Sequence, residues 1–195
     1  MHHPAYQVLF DSVAQIMEMP AEDKQLCYDY FEVVEAPKGT VLEAAGTITG
    51  HQMFVTEGYL RNYHVNEKGE EVTTDLNNGP RFFTSYTHFM NRTVSPETIE
   101  CITNATVLRV KRDDVDVLFQ KSTILKDFTI QILQYFLERD KQRMAELATL
   151  TAEQRYLNFI DGQAQLVQHV PLQYIASYLG IKPESLSRIR RKLSS

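Results

Sequence analysis

The sequence predicts an α+β chain with its strands first and its helices last. Three observations carry this. Short β-branched and aromatic runs fill Phe31 to Lys111, the stretch from Ser122 to Leu150 holds neither Gly nor Pro, and a helix, tight turn and second helix are spelled out between Val170 and Leu193. At 195 residues there is room for one or two domains and a sizeable core.

The chain begins with a small helical entry. Val8, Leu9, Val13, Ile16 and Met17 fall at helical spacing, and Pro20 interrupts them before a second short helix. The runs FEVVEA, TVLEA, HQMFVTEGYLRNYHV, EEVTTDL, ETIECIT and TVLRVKR then read as strands. Turn signals separate them at Pro37-Lys38-Gly39, Ala45-Gly46, Glu67-Lys68-Gly69 and Asn77-Asn78-Gly79-Pro80. Their spacing suits a sandwich, barrel or jelly roll, and the aromatic-rich segment Phe82 to Met90 suits a short interrupting helix.

After Arg112 the strands stop. Asp113 to Phe119 and then Ser122 to Leu150 read as helix, with Ile124, Leu125, Phe128, Ile132, Leu133, Phe136, Leu137, Met144 and Leu147 forming an apolar stripe. A helix of nearly thirty residues is ~40 Å long, more than a small domain needs, so part of it is expected to face a second copy, through Phe128, Ile132 and Phe136. The alternative is that it packs on its own sheet. Thr151-Ala-Glu-Gln154 fits a capping box that opens another helix, with Asp161-Gly162 as its end. The expected domains are 1–112, 113–150 and 151–195.

Composition excludes several classes. With 43% hydrophobic and 23% charged residues the chain is of ordinary globular type, and no apolar run approaches the ~20 residues that span a bilayer. The N-terminal stretch has no Lys or Arg ahead of an apolar core, so no secretory signal is read and a cytoplasmic location is expected. Cys27 and Cys101 are too few for a four-thiolate site. They form a redox pair only if the fold brings their Cα atoms within ~7 Å. A net charge of −5 would by itself count against a nucleic-acid partner. Its distribution does not: KPESLSRIRRK at 182–192 holds five Lys or Arg against one Glu, a basic segment on an acidic body.

That segment carries the functional reading. Ile175, Ala176 and Leu179 make one apolar face, with Ala176 small where a second helix crosses. Gly180 supplies a left-handed turn position and Ile181 plugs the gap. In the second helix Leu186, Ile189 and Leu193 are expected to point inward. Gln173, Lys182, Glu184, Ser185, Ser187, Arg188, Arg191 and Lys192 are the candidate DNA contacts. Arg, Ser and Glu near the start of a helix suit base edges in a major groove, and later cations suit phosphates.

Taken in order, strands, long helix and helix-turn-helix resemble the Crp–Fnr transcription regulators along essentially the whole chain. The resemblance implies a double-stranded β-helix, a jelly-roll-like β-roll, as sensor domain, a central dimerisation helix and a C-terminal helix-turn-helix. It places the recognition residues on Glu184, Ser185 and Arg188 of PESLSRI, with Pro183 where many members have Arg. Because the sequence stops three residues after Lys192, it implies a variant without the usual hairpin wing.

Members that bind cyclic nucleotide hold the ribose and phosphate with Gly-Glu before a short helix and Arg-Ser or Arg-Thr after it, since a phosphate anion needs a guanidinium and oriented amides. Here those places read Pro80-Arg81-Phe82-Phe83 and Ser95-Pro96. Cyclic AMP is therefore not expected to bind in the usual way. Arg81, Phe82, Tyr86, Arg92 and Ser95 remain the candidate effector pocket, which the aromatic residues are expected to fill. Iron–sulfur sensing fails on cysteine count, and haem sensing would draw on His51, His64 or His88.

No GxSxG, HExxH, GxxxxGK[ST] or GxGxxG is present, nor the strand His-x-His pair of cupin-type enzymes that a β-roll resembles, so neither enzyme chemistry nor a metal or other cofactor is expected. The expected partners are a near-palindromic DNA operator, a second copy of the chain and RNA polymerase, with no membrane. A reading from a different class is a ligand-binding or protein-interaction roll whose helix-turn-helix no longer binds DNA.

Overall fold

The computed structural model describes residues 2–77 and 79–193. Asn78, in the fourth turn signal, and the two serines after Leu193 lie outside the described residues. Helix α1 (Pro4–Ala14) begins on a proline, whose missing N–H costs nothing in a first turn, and the His3 ring accepts from the Ala5 amide. It ends before Ile16, which is exposed. Helix α2 (Ala21–Tyr30) follows Pro20, as the sequence implies.

Among the described residues eight strands form two four-stranded antiparallel sheets. One has the order β1 (Glu32–Ala36), β8 (Ala105–Lys111), β3 (His51–Glu57), β6 (Arg81–Phe82). The other has β2 (Val41–Glu43), β7 (Thr98–Cys101), β4 (Leu60–Val65), β5 (Glu71–Leu76). A six-residue helix, α3 (Tyr86–Asn91), interrupts them where the aromatic segment predicts it. Gly58 turns the chain from β3 to β4 at φ +95°. A Cβ there would lie 2.4 Å from the Asn104 carbonyl, so only glycine fits.

The first sheet is buried on both faces. Met53, Val55, Ala105 and Val107 point into the roll with Leu60, Ile99 and Cys101. The alternate positions Phe54, Leu108 and Val110 point outward into a second core built by α1, α2, α4 (Arg112–Lys121) and the start of α5 (Thr123–Thr149). This double burial explains why Met53, Phe54 and Val55 of β3 are apolar in succession rather than alternating with polar residues.

The Ser122 hydroxyl accepts the Leu125 amide and caps α5. Its first half lies against the roll: Phe128 is 3% exposed, and Ile132 and Phe136 pack on the same core. These are the three residues that the sequence assigns to a dimer contact. Within the single chain all three lie against this core, because the outward face of β3 and β8 needs an apolar cover and α5 supplies it. The exposed apolar residues of α5 include Ile130 (45%), Tyr135 (59%), Leu137 (70%), Met144 (71%) and Leu147 (39%).

Helix α6 (Ala152–His169) opens with the expected capping box, in which Thr151 and Gln154 bond reciprocally. Directly after the expected end at Asp161-Gly162 the helix breaks, at Gln163 with φ −144° and ψ 42°. It then resumes, because Leu166 and Val170 beyond the break are buried with α7 (Leu172–Tyr178) and α8 (Pro183–Leu193). That third core also takes in Leu76 and Ile102 from the roll, so the helical half is packed onto the strands.

Candidate nucleic-acid interface and the groove beside the long helix

The turn between α7 and α8 is a Schellman motif. The Ile181 amide donates to the Ala176 carbonyl at 2.9 Å, the Gly180 amide to Ser177 at 3.0 Å, and Gly180 sits at φ +63°. Ala176 is fully buried and Ile181 7% exposed, which matches their expected parts as crossing point and plug. A Cβ on Gly180 would meet Leu147 of α5 at 3.1 Å, so the turn also touches the long helix.

Sequence reading missed the residue that holds this turn. Arg155 donates to the Leu179 carbonyl at 2.8 Å, to Leu150 at 2.7 Å and to Gly180 at 3.3 Å, covering carbonyls left open at the ends of α5 and α7. Arg143 of α5 likewise donates to the Tyr178 carbonyl at 2.8 Å. Neither belongs to a local motif, and only the fold brings them to α7.

On α8, Leu186 and Ile189 are buried, whereas Leu193 is 43% exposed rather than inward, because the helix has passed its support by then. Glu184, Ser187, Arg188 and Arg191 are exposed and Ser185 is half-buried, all on one elongated surface with Lys182 before them; Gln173 is exposed on α7. Lys192 is exposed too, but its ammonium is 2.9 Å from Glu153 of α6.

Between the β6–α3 segment and α5 runs a groove of about 670 Å³. Of the candidate effector residues, Arg81, Phe82 and Tyr86 line it. Arg92 does not: it turns outward and pairs with Asp113 at 2.6 Å. Arg81 is committed within the chain, to the Asp75 carboxylate and the Leu76 carbonyl, both at 2.9 Å. Burial by itself would raise the Asp75 carboxyl, yet Arg81 and Arg139 overcome it and hold it below the ordinary carboxylate range.

Ser95 lies beneath the groove wall, 2% exposed. Its hydroxyl donates to Ser85 Oγ and accepts the Glu97 amide, and the Ser85 hydroxyl donates to the Glu97 carboxylate. Glu43 lies alongside. Burial, with Glu97 adding, pushes its carboxyl up to about 8 against the opposing pull of the Ser85 amide. Two acids thus stand beside the serine that the resemblance aligns with a phosphate-binding pair.

The remaining chemical candidates are not drawn together. Cys27 and Cys101 are free, both fully buried in different cores, with burial pushing their thiols up to about 12 and about 11. Among the described residues no group of His, Cys, Asp and Glu could hold a metal ion, and no helix is long and apolar enough to cross a membrane.

Residues 33–122 match the cyclic nucleotide-binding domain family. No curated protein matches the chain in sequence. Solved structures match along most of its length. The c-di-GMP responsive global regulator CLP of Xanthomonas campestris is 17% identical, with 90% of this chain and 92% of that one covered and a TM-score of 0.72. FixK2 of Bradyrhizobium japonicum is 16% identical, with 84% of each chain covered and a TM-score of 0.71. The catabolite activator protein of Thermus thermophilus is 17% identical, with 90% and 84% covered and a TM-score of 0.58. At these identities the likeness is one of fold: a β-roll, a long helix and a C-terminal helical unit in the same order.

Proposed function

We propose that this chain, which has the Crp–Fnr fold with a cyclic nucleotide-binding-type roll at residues 33–122, is a homodimeric, sequence-specific DNA-binding transcription regulator. The observation that carries the reading is α8. Its inner face is anchored by Leu186 and Ile189, its turn is locked by Gly180 and Arg155, and its outer face offers Glu184, Ser185 and Arg188 ahead of the later cations. A rigid helix with short and bidentate groups first and cations last matches what a major groove and its flanking phosphates accept. The acidic remainder of the surface would repel phosphate and so favour one orientation on DNA.

A second copy supplies the symmetry. Ile130, Leu137 and Met144 recur at heptad spacing along the solvent side of α5, with half-buried Leu133, Asp140 and exposed Leu147 at the intervening positions. Such a stripe pairs with its own copy about a two-fold axis, and that would set two α8 helices ~34–36 Å apart for successive major grooves of a near-palindromic site. RNA polymerase is the partner that such a regulator acts on.

The effector side departs from cyclic nucleotides. Arg81 is taken by Asp75, and Glu97 stands beside Ser95, so a cyclic phosphate would meet an acid rather than a free guanidinium. Calorimetry with cyclic AMP is expected to show no saturable binding at micromolar concentration.

Fluorescence anisotropy with random-sequence duplex at low salt tests the DNA reading. Binding that weakens steeply as salt is added is expected, because the electrostatic term survives in any genuine DNA binder. No binding even at low salt would favour a roll that binds ligand or protein and keeps its helix-turn-helix as a packing unit.

A further inference from the structure

Helix α7 rests on β5, the edge strand of its sheet. At that edge the Thr73 amide donates to Ser177 Oγ at 2.9 Å, and the Ser177 hydroxyl donates to the Glu71 carbonyl at 3.4 Å. One hydroxyl thereby occupies the donor and the acceptor that an added strand would have taken. Three residues earlier on α7, the Tyr174 ring lies against the Arg61 guanidinium, 3.7 Å from its carbon to the ring centroid, and Tyr63 adds a second ring at 4.0 Å. Arg61 is only 3% exposed and is tied to Glu71 of β5 at 2.7 Å and to Glu100 of β7 at 2.6 Å. A buried guanidinium held by two carboxylates cannot turn, so it presents a fixed flat face to Tyr174.

This clasp sits where the chain most needs one. Only Leu150 and Thr151, both in extended conformation, join the end of α5 to the start of α6. A two-residue joint leaves the swing of the helical half to side contacts, and the clasp on β5 is one of them.

We propose that Arg61 and Ser177 are positioning residues for DNA binding: by holding α7 on the edge of β5 they fix the angle at which α8 leaves the long helix, and hence the half-site spacing that a dimer accepts. The inference rests on the DNA-binding reading. It adds a route for regulation, because β5 also carries Asp75, where Arg81 and Arg139 of the groove meet. Anything that moves Arg139 from Asp75 acts on the strand that holds α7.

The test uses the full chain with Arg61→Ala, and with Ser177→Ala as the variant that removes only a hydroxyl and leaves the roll's ion pairs intact. Hydrogen exchange at the Thr73 amide is read against Val55 of β3. Exchange about tenfold faster at Thr73 with Val55 unchanged is expected in both variants. Duplexes selected by the wild-type chain, with their half-sites then moved apart one base pair at a time, are read by gel shift. The variants are expected to accept several spacings almost equally while binding a single half-site as before.

Unchanged Thr73 exchange in Ser177→Ala would overturn the clasp. A released Thr73 with spacing preference intact would overturn its positioning role. Loss of Thr73 and Val55 protection together in both variants would reduce both residues to ordinary support of the roll. A wild-type chain that binds no duplex would instead refute the DNA reading, and the exchange result would then decide the clasp alone.

Discussion

The Asp75 carboxylate on β5 receives Arg139 from the long helix at 2.9 Å, on the same oxygen that receives Arg81 from β6. One acid therefore ties the roll to α5 through two guanidiniums. Asp75→Asn leaves both cations without their counter-charge in a largely buried place, and a loss on the order of 3 kcal/mol is expected in urea unfolding. Because the native carboxyl is held below its ordinary value, this contribution is present above about pH 4 and is lost as pH falls through the native value. The variant's stability should accordingly fall less than that of the wild type between pH 5 and pH 3.

Glu43 works in the opposite direction. Its native carboxyl titrates at about 8 against an ordinary 4.5, so between those values the folded chain holds a proton that the unfolded chain has released. Stability must then fall as pH rises through that window, by at most about 1.4 kcal/mol per unit from this group. Glu43→Gln keeps the shape and removes the titration. Thermal melts from pH 5 to 8.5 should show a flatter decline for the variant and a higher melting temperature than wild type at the alkaline end. Parallel curves would show that Glu43 is not buried as described.

Those two carboxylates mark the boundary of what the sequence discloses. The succession of short strands, the capping box at Thr151 and the turn at Gly180 are local, written in turn residues, periodicity and left-handed positions, and could be read directly. The face of α5 could not. Phe128 and Leu137 lie on one apolar stripe in the sequence, and only the outward side chains of Phe54 and Leu108 decide which half of it is covered. The break after Gly162 is local too, but the resumption of the helix beyond it is a tertiary matter, set by the burial of Leu166. Asp75, Arg139, Arg143 and Arg155 carry no motif at all. Their roles come from elements far apart in the chain meeting at one seam; of the five residues that the sequence groups as an effector pocket, Arg81, Phe82 and Tyr86 line the groove.

The two sides of α5 make a pair of substitutions informative. Leu137→Glu changes a side chain that is 70% exposed, so the fold should keep its melting temperature within a few degrees. Sedimentation should nonetheless show monomers where the wild type shows dimers, since like charges would meet across the two-fold axis. Phe128→Ala empties a site 3% exposed and should cost about 3–5 kcal/mol of stability instead. A Leu137→Glu chain that stays dimeric would move the interface off this stripe.

The cations of α8 should separate into two kinds. Arg188 is exposed near the middle of the helix, beyond Glu184 and Ser185, where it would reach a base edge if α8 entered a major groove. Arg188→Ala is expected to cost about 1–3 kcal/mol on a selected operator and to relax the preference at one base pair. Lys192 stands later and is shared with Glu153 at 2.9 Å. An exposed pair of this kind is worth at most about 1 kcal/mol, so a phosphate can take the ammonium from it. Lys192→Ala should weaken every duplex alike and lower the salt slope by about one. Glu153→Gln should do the reverse, tightening binding to random duplex by removing the competitor while leaving the base preference as it was. If Arg188→Ala leaves operator affinity unchanged in a gel-shift titration, α8 is not the helix that reads the bases.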